Sequence, residues 1–523
     1  MKTKKQKVLT MLLAACMLTA TMSGCGNTSD DVGKSSEATG SSENREAATG
    51  TANEEKEQEL VTLRIFFADK QGTDDDAVAE YVSNLPQVKA LGVKVEFVKT
   101  AGGTTEYNEK LPLWLASDEQ MDIVYDASTN LANRISQGAY LDLSGYLAED
   151  SDFYGAIHKS LWKGMMYNGG IYAVPTYKEI AEQLAFVVQE EVLEKYDIDP
   201  ATVTNYKDLE VILEALKQEG NCIPYCVRAN GIPDYEVKMA LYEEYDFLNG
   251  YLYASIKHDE GKTVVNTFDT EEFAEYVRTM YSWNQKGYIS PDALTMSDDD
   301  FCANGMVRGM FSYGYSPLSE IRYKVDYGKM AQYGWQTDGV VMIVTGKPKV
   351  NSNSTRGSAY AIPAKCENPD LAYEFLRLWN TDSEVKDAIF HGIPDVHYTL
   401  VDGKVEPVTN KKDLYYSQNW RTGNNLITTL LVTEPDDKWE QYEAWNNTSI
   451  EACDLGLIVD TSAIADKLAT INSVLDEYLT PLSLGFVEPE SGIKQLNEQM
   501  KAAGIDDVIA ELQAQYDAFQ ASK

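Results

Sequence analysis

The side chains of this 523-residue chain best placed for chemistry are acceptors and aromatic rings rather than nucleophiles. Asp69 follows the apolar run Val61-Thr-Leu-Arg-Ile-Phe-Phe-Ala68, and Asp126 follows Met121-Asp-Ile-Val-Tyr125, so each stands where a strand gives way to a loop. A carboxylate there can accept hydrogen bonds from the hydroxyls of a ligand or cap its own turn, and for Asp126 the two readings stand level. Phe311-Ser-Tyr313-Gly-Tyr315-Ser316 gathers rings and hydroxyls about a glycine, which suits close approach of a ligand or a simple turn. Catalytic patterns do not emerge. No HExxH occurs, Gly314-Tyr-Ser316-Pro-Leu318 lacks the last glycine of a nucleophile elbow, and Gly339 to Lys347 lacks the spacing of a phosphate-binding loop. With 82 acids, some carboxylate pair could always be nominated for glycoside hydrolysis, so pairing decides nothing. Four scattered His and seven Cys give no zinc-ligand spacing. Cys222-Ile-Pro-Tyr-Cys226 could form a tight bridge, but the sparse count excludes a disulfide scaffold. No metal or cofactor is expected, and calcium stays open.

The elements around these residues alternate. The strand 61–68 is followed by a helical stretch over 74–91, a second strand over 93–98, a helix over 107–116 and a third strand over 121–125. That order predicts a parallel sheet with right-handed crossovers, whose ligands collect at the carboxyl ends of the strands. The rule points to Asp69 and to the loop Asp126–Asn130. Further on, Asn368-Pro369-Asp370 starts a helix with Leu371, Ala372, Phe375, Leu376 and Trp379 on one face. A final helix from Asp506 carries Val508, Ile509, Leu512, Tyr516 and Phe519 as a core stripe.

Composition narrows the class. At 44% hydrophobic and 24% charged the chain reads as an ordinary globular protein of two or three domains. Lys+Arg number 45 against 82 acids, a net charge of −37, which argues against nucleic acid as a partner. The N-terminus reads as an address: Lys2, Lys4, Lys5 and Lys7, an apolar run from Val8 to Leu18, then Ser23-Gly24-Cys25. This predicts a secretory signal over 1–24, with Cys25 as an acylated first residue and Cys16 as the alternative. The small polar residues of 25–58 then read as a flexible tether spanning about 30 Å.

Several segments together resemble a family. Lys110-Leu-Pro-Leu-Trp-Leu-Ala-Ser-Asp-Glu-Gln-Met-Asp-Ile-Val-Tyr125, Gln137-Gly-Ala-Tyr-Leu-Asp-Leu143, Gly169-Gly-Ile-Tyr-Ala-Val-Pro175 and Gly357-Ser-Ala-Tyr-Ala-Ile-Pro363 are similar to extracellular solute-binding proteins. Gly392-Ile-Pro-Asp-Val-His397-Tyr398, Asn419-Trp420-Arg421-Thr-Gly423-Asn424 and the tail from Glu477 to Gln515 resemble the lipoprotein group that includes aldouronate-type oligosaccharide binders of Gram-positive bacteria. Ile393-Pro394-Asp395 departs from that pattern, which has a more acidic pair there. The resemblance implies an α/β, two-lobe fold of the type II periplasmic-binding kind. Lobe 1 would hold 59–175 and 358–400; lobe 2 would hold 176–357 and 401–523, with the family's C-terminal domain. It further implies a non-catalytic monomer, lipid-anchored at Cys25 on the outer face of the membrane. Such a protein closes on a sugar or oligosaccharide and delivers it to the permease of an ABC importer. The alternatives are a surface glycan hydrolase and a binder of peptides or other polar solutes. Trp420 would stack on a pyranose and Asn424 would supply an amide. Arg421 could pair with a uronate or lie solvated, and Tyr177 would line the cleft. Tyr172 and His397 read as packing residues.

Overall fold

The first sheet forms because short apolar strands alternate with amphipathic helices that cover them. In the computed structural model, which describes residues 60–227, 234–297, 300, 308–314, 317 and 340–523, β1 (Val61–Lys70) pairs in parallel with β2 (Val93–Thr100) and with β3 (Ile123–Asp126). The helical stretch between β1 and β2 is two helices, α1 (Asp75–Asn84) and α2 (Pro86–Ala90). Pro86 disfavours helical backbone at the residue before it, and Leu85 takes ψ 137°. α3 (Gly103–Ala116) starts four residues ahead of the expected helix, and α4 (Ser128–Ser136) follows β3. The sheet is completed by strand Ala359–Ala361, antiparallel to β3, and then by Val174–Pro175. Helix Pro369–Thr381 buries Ala372, Phe375, Leu376 and Trp379 as its spacing predicts.

Two separate hydrophobic clusters define two lobes. One gathers Phe66, Tyr107, Trp162 and Trp379 about the first sheet. The other gathers Tyr225, Trp283, Leu475 and Tyr516 about two further sheets. Of these, the four-stranded sheet runs Phe311–Gly314, Glu182–Gln189, Val340–Val350, Ile450–Glu451, and the three-stranded one is made of Val264–Asn266, Ala254–Lys257 and Tyr245–Phe247. The C-terminal helices Ala465–Ser483, Pro489–Ala502 and Ile505–Ser522 belong to the second cluster, with Val508, Leu512 and Tyr516 buried and Ile509 and Phe519 half-buried. The signal over 1–24, Cys25, the tether, Cys302 and Tyr315 lie outside the described residues. No disulfide joins Cys222 to Cys226.

Ile180, Ala181, Val350, Leu455 and Ile458, which the sequence reading put in the second lobe, pack in the first cluster. Residues 401–449 were expected in the second lobe, but Tyr415 packs in the first cluster, as do the half-buried Leu426 and Trp445. The backbone of Tyr177 brackets Gly423 and Asn425, donating to the first at 3.2 Å and accepting from the second at 2.8 Å. Local spacing carries no trace of this docking, because its partners are far away in the chain.

The joint between the lobes is polar and buried. Thr176 and Ser358 meet through their hydroxyls (2.9 Å), and the Asn446 amide clamps Lys178 and Ile180. Arg356 is 1% exposed and spreads its guanidinium over both sides. Nε donates to the Gly164 carbonyl at 2.7 Å, Nη1 to Asn249 Oδ1 at 3.1 Å and Nη2 to the Leu457 carbonyl at 2.7 Å. The Arg356 carbonyl in turn accepts from Ser128 N–H at 2.6 Å. Burial pulls this guanidinium down to about 10, with nearby Asp454 opposing. Asp454 takes the Asn249 N–H on Oδ2 at 2.8 Å, and burial pushes its carboxyl up to about 6.

Two outcomes follow from that joint. Arg356→Ala strands the Gly164 and Leu457 carbonyls in the interior, and urea denaturation should register a loss of about 3–5 kcal/mol. Asp454 holds its proton more tightly folded than unfolded, so its stabilising contribution is present below about pH 4 and lost as pH rises through about 6. Asp454→Asn cannot ionise, so its stability should fall less than the parent's across that window, by on the order of 2 kcal/mol. Parallel slopes for the two proteins would contradict the assignment.

Candidate functional site

The carboxyl end of β1 places an acid where sequence reasoning expected one. Asp69 continues the inward phase of Leu63, Ile65 and Phe67 and is 1% exposed. Its Oδ1 accepts from Gln418 Nε2 at 3.3 Å and from Arg421 Nη1 at 3.4 Å. The same Nη1 donates to the Ala68 carbonyl and to Thr104 Oγ1, each at 2.8 Å. Arg421 is therefore neither solvated nor a free fork for a uronate; it is buried and matched by Asp69. Behind it, β2 brings Lys99 inward in phase with Val93, Val95 and Phe97. Lys99 Nζ donates to Asp75 Oδ1 (2.7 Å) and to the Tyr416 carbonyl (2.9 Å), and lies 4.0 Å from the Tyr415 ring centroid. Burial raises the Asp69 carboxyl and lowers the Lys99 ammonium, while the opposite charges pull each back. Two acids and two bases thus balance one another beneath the surface.

Above this cluster the turn Asn419–Arg421 presents Trp420, which is 40% exposed. Its indole N–H donates to Gln418 Oε1 at 2.8 Å, and the Arg421 guanidinium carbon sits 4.2 Å from the ring centroid, so the ring is held rather than free to swing. Buried polar atoms of Asp69 and of the segment 417–421 that carries the ring find no partner among the described residues: Asp69 Oδ2, Ser417 Oγ, Asn419 Oδ1 and Arg421 Nε. Unsatisfied buried donors and acceptors are rare, and gathered beside an exposed ring they suit a ligand bearing many hydroxyls.

The other expected residues whose side chains are described fall into structural roles. Asp126 is 4% exposed. Its Oδ1 takes Arg134 Nη1 (2.6 Å) and the Ala127 N–H (2.9 Å), and its Oδ2 takes the Tyr140 hydroxyl (2.6 Å), so the sugar-acceptor reading gives way to a buried cap. Asn424 is also buried. Its Oδ1 caps the next turn at Leu426 N–H (3.0 Å) and its Nδ2 donates to the Asn380 carbonyl (3.2 Å), so it holds the loop rather than a ligand. Tyr177 is 6% exposed and serves the joint through its backbone. Tyr313 lies on the strand Phe311–Gly314, paired with Ala185. His397, fully buried, accepts the Ile393 N–H at 2.9 Å, and Tyr172 packs half-buried against the first cluster. Sequence reasoning missed Lys99, Asp75, Thr104 and Gln418. Lys99 alone left a signal, a lysine in the apolar phase of β2.

Comparison with known proteins places this architecture. A family model described as bacterial extracellular solute-binding protein matches residues 86–392, and a domain of unknown function, DUF3502, matches 455–521. A carbohydrate ABC transporter substrate-binding protein of Streptococcus pneumoniae is 26% identical over 466 residues, covering 86% of this chain and 90% of that protein. Among solved structures, the N-glycan transport solute binding protein of Streptococcus pneumoniae is 22% identical with a TM-score of 0.73, covering 88% of this chain and 99% of that one. An alginate-binding protein is 18% identical with a TM-score of 0.58, covering 88% and 98%. With more than half its length under the family model and two lobes of the expected kind, the chain belongs to the bacterial extracellular solute-binding proteins.

Proposed function

We propose that this protein captures an oligosaccharide outside the cell, closes its two lobes over it and passes it unchanged to the permease of an ABC importer. The observation that carries the reading is the exposed, clamped ring of Trp420 set beside unpartnered buried polar atoms at the carboxyl end of β1. A flat ring offers a surface for the apolar face of a pyranose, and the polar atoms offer hydrogen bonds to its hydroxyls. Because Arg421 is already matched by Asp69, a neutral sugar fits better than a uronate. The Streptococcus pneumoniae N-glycan transport protein has been solved with Man1GlcNAc and with Man5GlcNAc, so mannose–GlcNAc oligosaccharides are the first ligands to try. Lipid anchoring at Cys25 through the tether completes the proposal, holding the lobes near their transporter.

Titration calorimetry of the purified protein should give one-site binding to a neutral oligosaccharide and weaker or no binding to aldouronate. Mass spectrometry of the recovered ligand should find it intact. Shortened sugars would favour the hydrolase reading, and binding confined to peptides would overturn the sugar assignment. Trp420→Ala should weaken oligosaccharide binding about 10- to 100-fold while leaving thermal stability nearly unchanged, since the ring is largely outside the core. Cys25→Ser should move the protein from the membrane fraction to the medium. Retention in the membrane would count against the anchor.

A further inference from the structure

A second constellation stands away from Trp420, where the last crossing meets the small sheet of the second lobe. Asp246, on strand Tyr245–Phe247, has 3% of its surface exposed. His258 follows the neighbouring strand Ala254–Lys257, and the hairpin is closed by the His258 N–H donating to the Glu244 carbonyl at 2.7 Å. Cys453 arrives from the other direction, just past Ile450–Glu451, and its backbone N–H donates to Asp246 Oδ2 at 2.9 Å. His258 Nδ1 lies 2.7 Å from the same Oδ2, and the Cys453 thiol donates to the His258 carbonyl at 3.4 Å. One carboxylate oxygen, one ring nitrogen and one sulfur, from three separate segments, lie within 4.8 Å of one another.

We propose that Asp246, His258 and Cys453 form a binding site for a zinc-class divalent cation, with a fourth position left to water. The donor set is mixed nitrogen, oxygen and sulfur, which suits a borderline-soft metal rather than calcium or magnesium. Zinc bonds of about 2.0 Å to nitrogen and oxygen and about 2.3 Å to sulfur place tetrahedral donors a little over 3 Å apart, so atoms already within 4.8 Å of one another must move by about 1.5 Å at most to enclose an ion. An outer partner is already in place, because Lys349 Nζ donates to Asp246 Oδ1 at 2.9 Å, and the metal would share Oδ2 with the Cys453 N–H. Lys349 also offsets part of the charge that Asp246 and a thiolate bring together. The His258 side chain is 29% exposed and gives the ion a way in from solvent. On binding, the ion displaces the thiol proton to solvent, the His258 Nδ1 proton leaves so that the neutral ring carries its proton on Nε2, and the His258–Asp246 hydrogen bond gives way to two coordinate bonds. The residues are too far apart in the chain to form a ligand motif, which is why the sequence reading expected no metal. Bound there, the ion fastens the segment after Ile450–Glu451 to the three-stranded sheet of the second lobe.

The test uses the full mature chain, stripped with chelator and kept reduced, titrated with cobalt(II) as a spectroscopic stand-in for zinc. The expected result is one equivalent bound, with a thiolate-to-cobalt charge-transfer band and visible bands of tetrahedral intensity, all bleached by added zinc. Cys453→Ser should abolish the charge-transfer band, and His258→Ala should weaken cobalt binding at least tenfold. Should either variant fail to fold, alkylation of the unaltered protein answers the same question. Zinc should slow iodoacetamide labelling of Cys453 at least tenfold and leave Cys366 unaffected. A protein that shows no charge-transfer band, or whose Cys453 labels at the same rate with and without zinc, overturns the proposal.

Discussion

A guanidinium buried at the end of a parallel strand is the constraint on which this end of the first lobe depends. The carboxyl end of β1 leaves the Ala68 carbonyl and the Asp69 carboxylate directed at the same space, and both need donors once water is excluded. Arg421 supplies them, and in doing so carries the 415–425 segment onto the sheet. Trp420 is oriented as a consequence, since its ring lies against the same guanidinium. Lys99 and Asp75 close the charge balance beneath. The exposed ring and the buried ions are one device: remove the cation and the ring loses its support.

The joint solves a different problem with similar means. Each crossing must pass polar backbone through a region that water does not reach, and every carbonyl left over needs a partner. Arg356 serves carbonyls belonging to both lobes, whereas Asn446 and the Thr176–Ser358 hydroxyl pair serve the crossings themselves. Such bonds are directional and few, so they define a pivot more sharply than apolar packing would.

Much of the fold was legible because periodicity reports burial. The alternation in β1 and β2, the stripe on Pro369–Thr381 and the last helix all announce which face meets the core. The place of Asp69 at the carboxyl end of a parallel strand was legible too, from the alternation of strands and helices around it. What failed were roles decided by distant partners. Asp126 obeys the same positional rule as Asp69, yet Arg134 and Tyr140 occupy it, and no local pattern distinguishes the two acids. Asn424 sits in the expected segment but spends its amide on a turn and on the Asn380 carbonyl. The docking of 401–449 on the first lobe was equally invisible, because it rests on single side chains such as Tyr415 rather than on a repeat.

The place of Ala359–Ala361 in the first sheet has a kinetic side. This strand lies between β3 and Val174–Pro175, so the interior of the lobe is closed by a segment made long after its neighbours. As the chain emerges from its synthesis or export machinery, the three parallel strands can associate early, but they keep an open edge until the intervening segment up to 358 has appeared. Long-range closure of this sort slows folding, and an unpaired edge in the meantime invites contact with other nascent chains. The insertion that creates a hinge therefore also delays the closing of the first lobe's sheet.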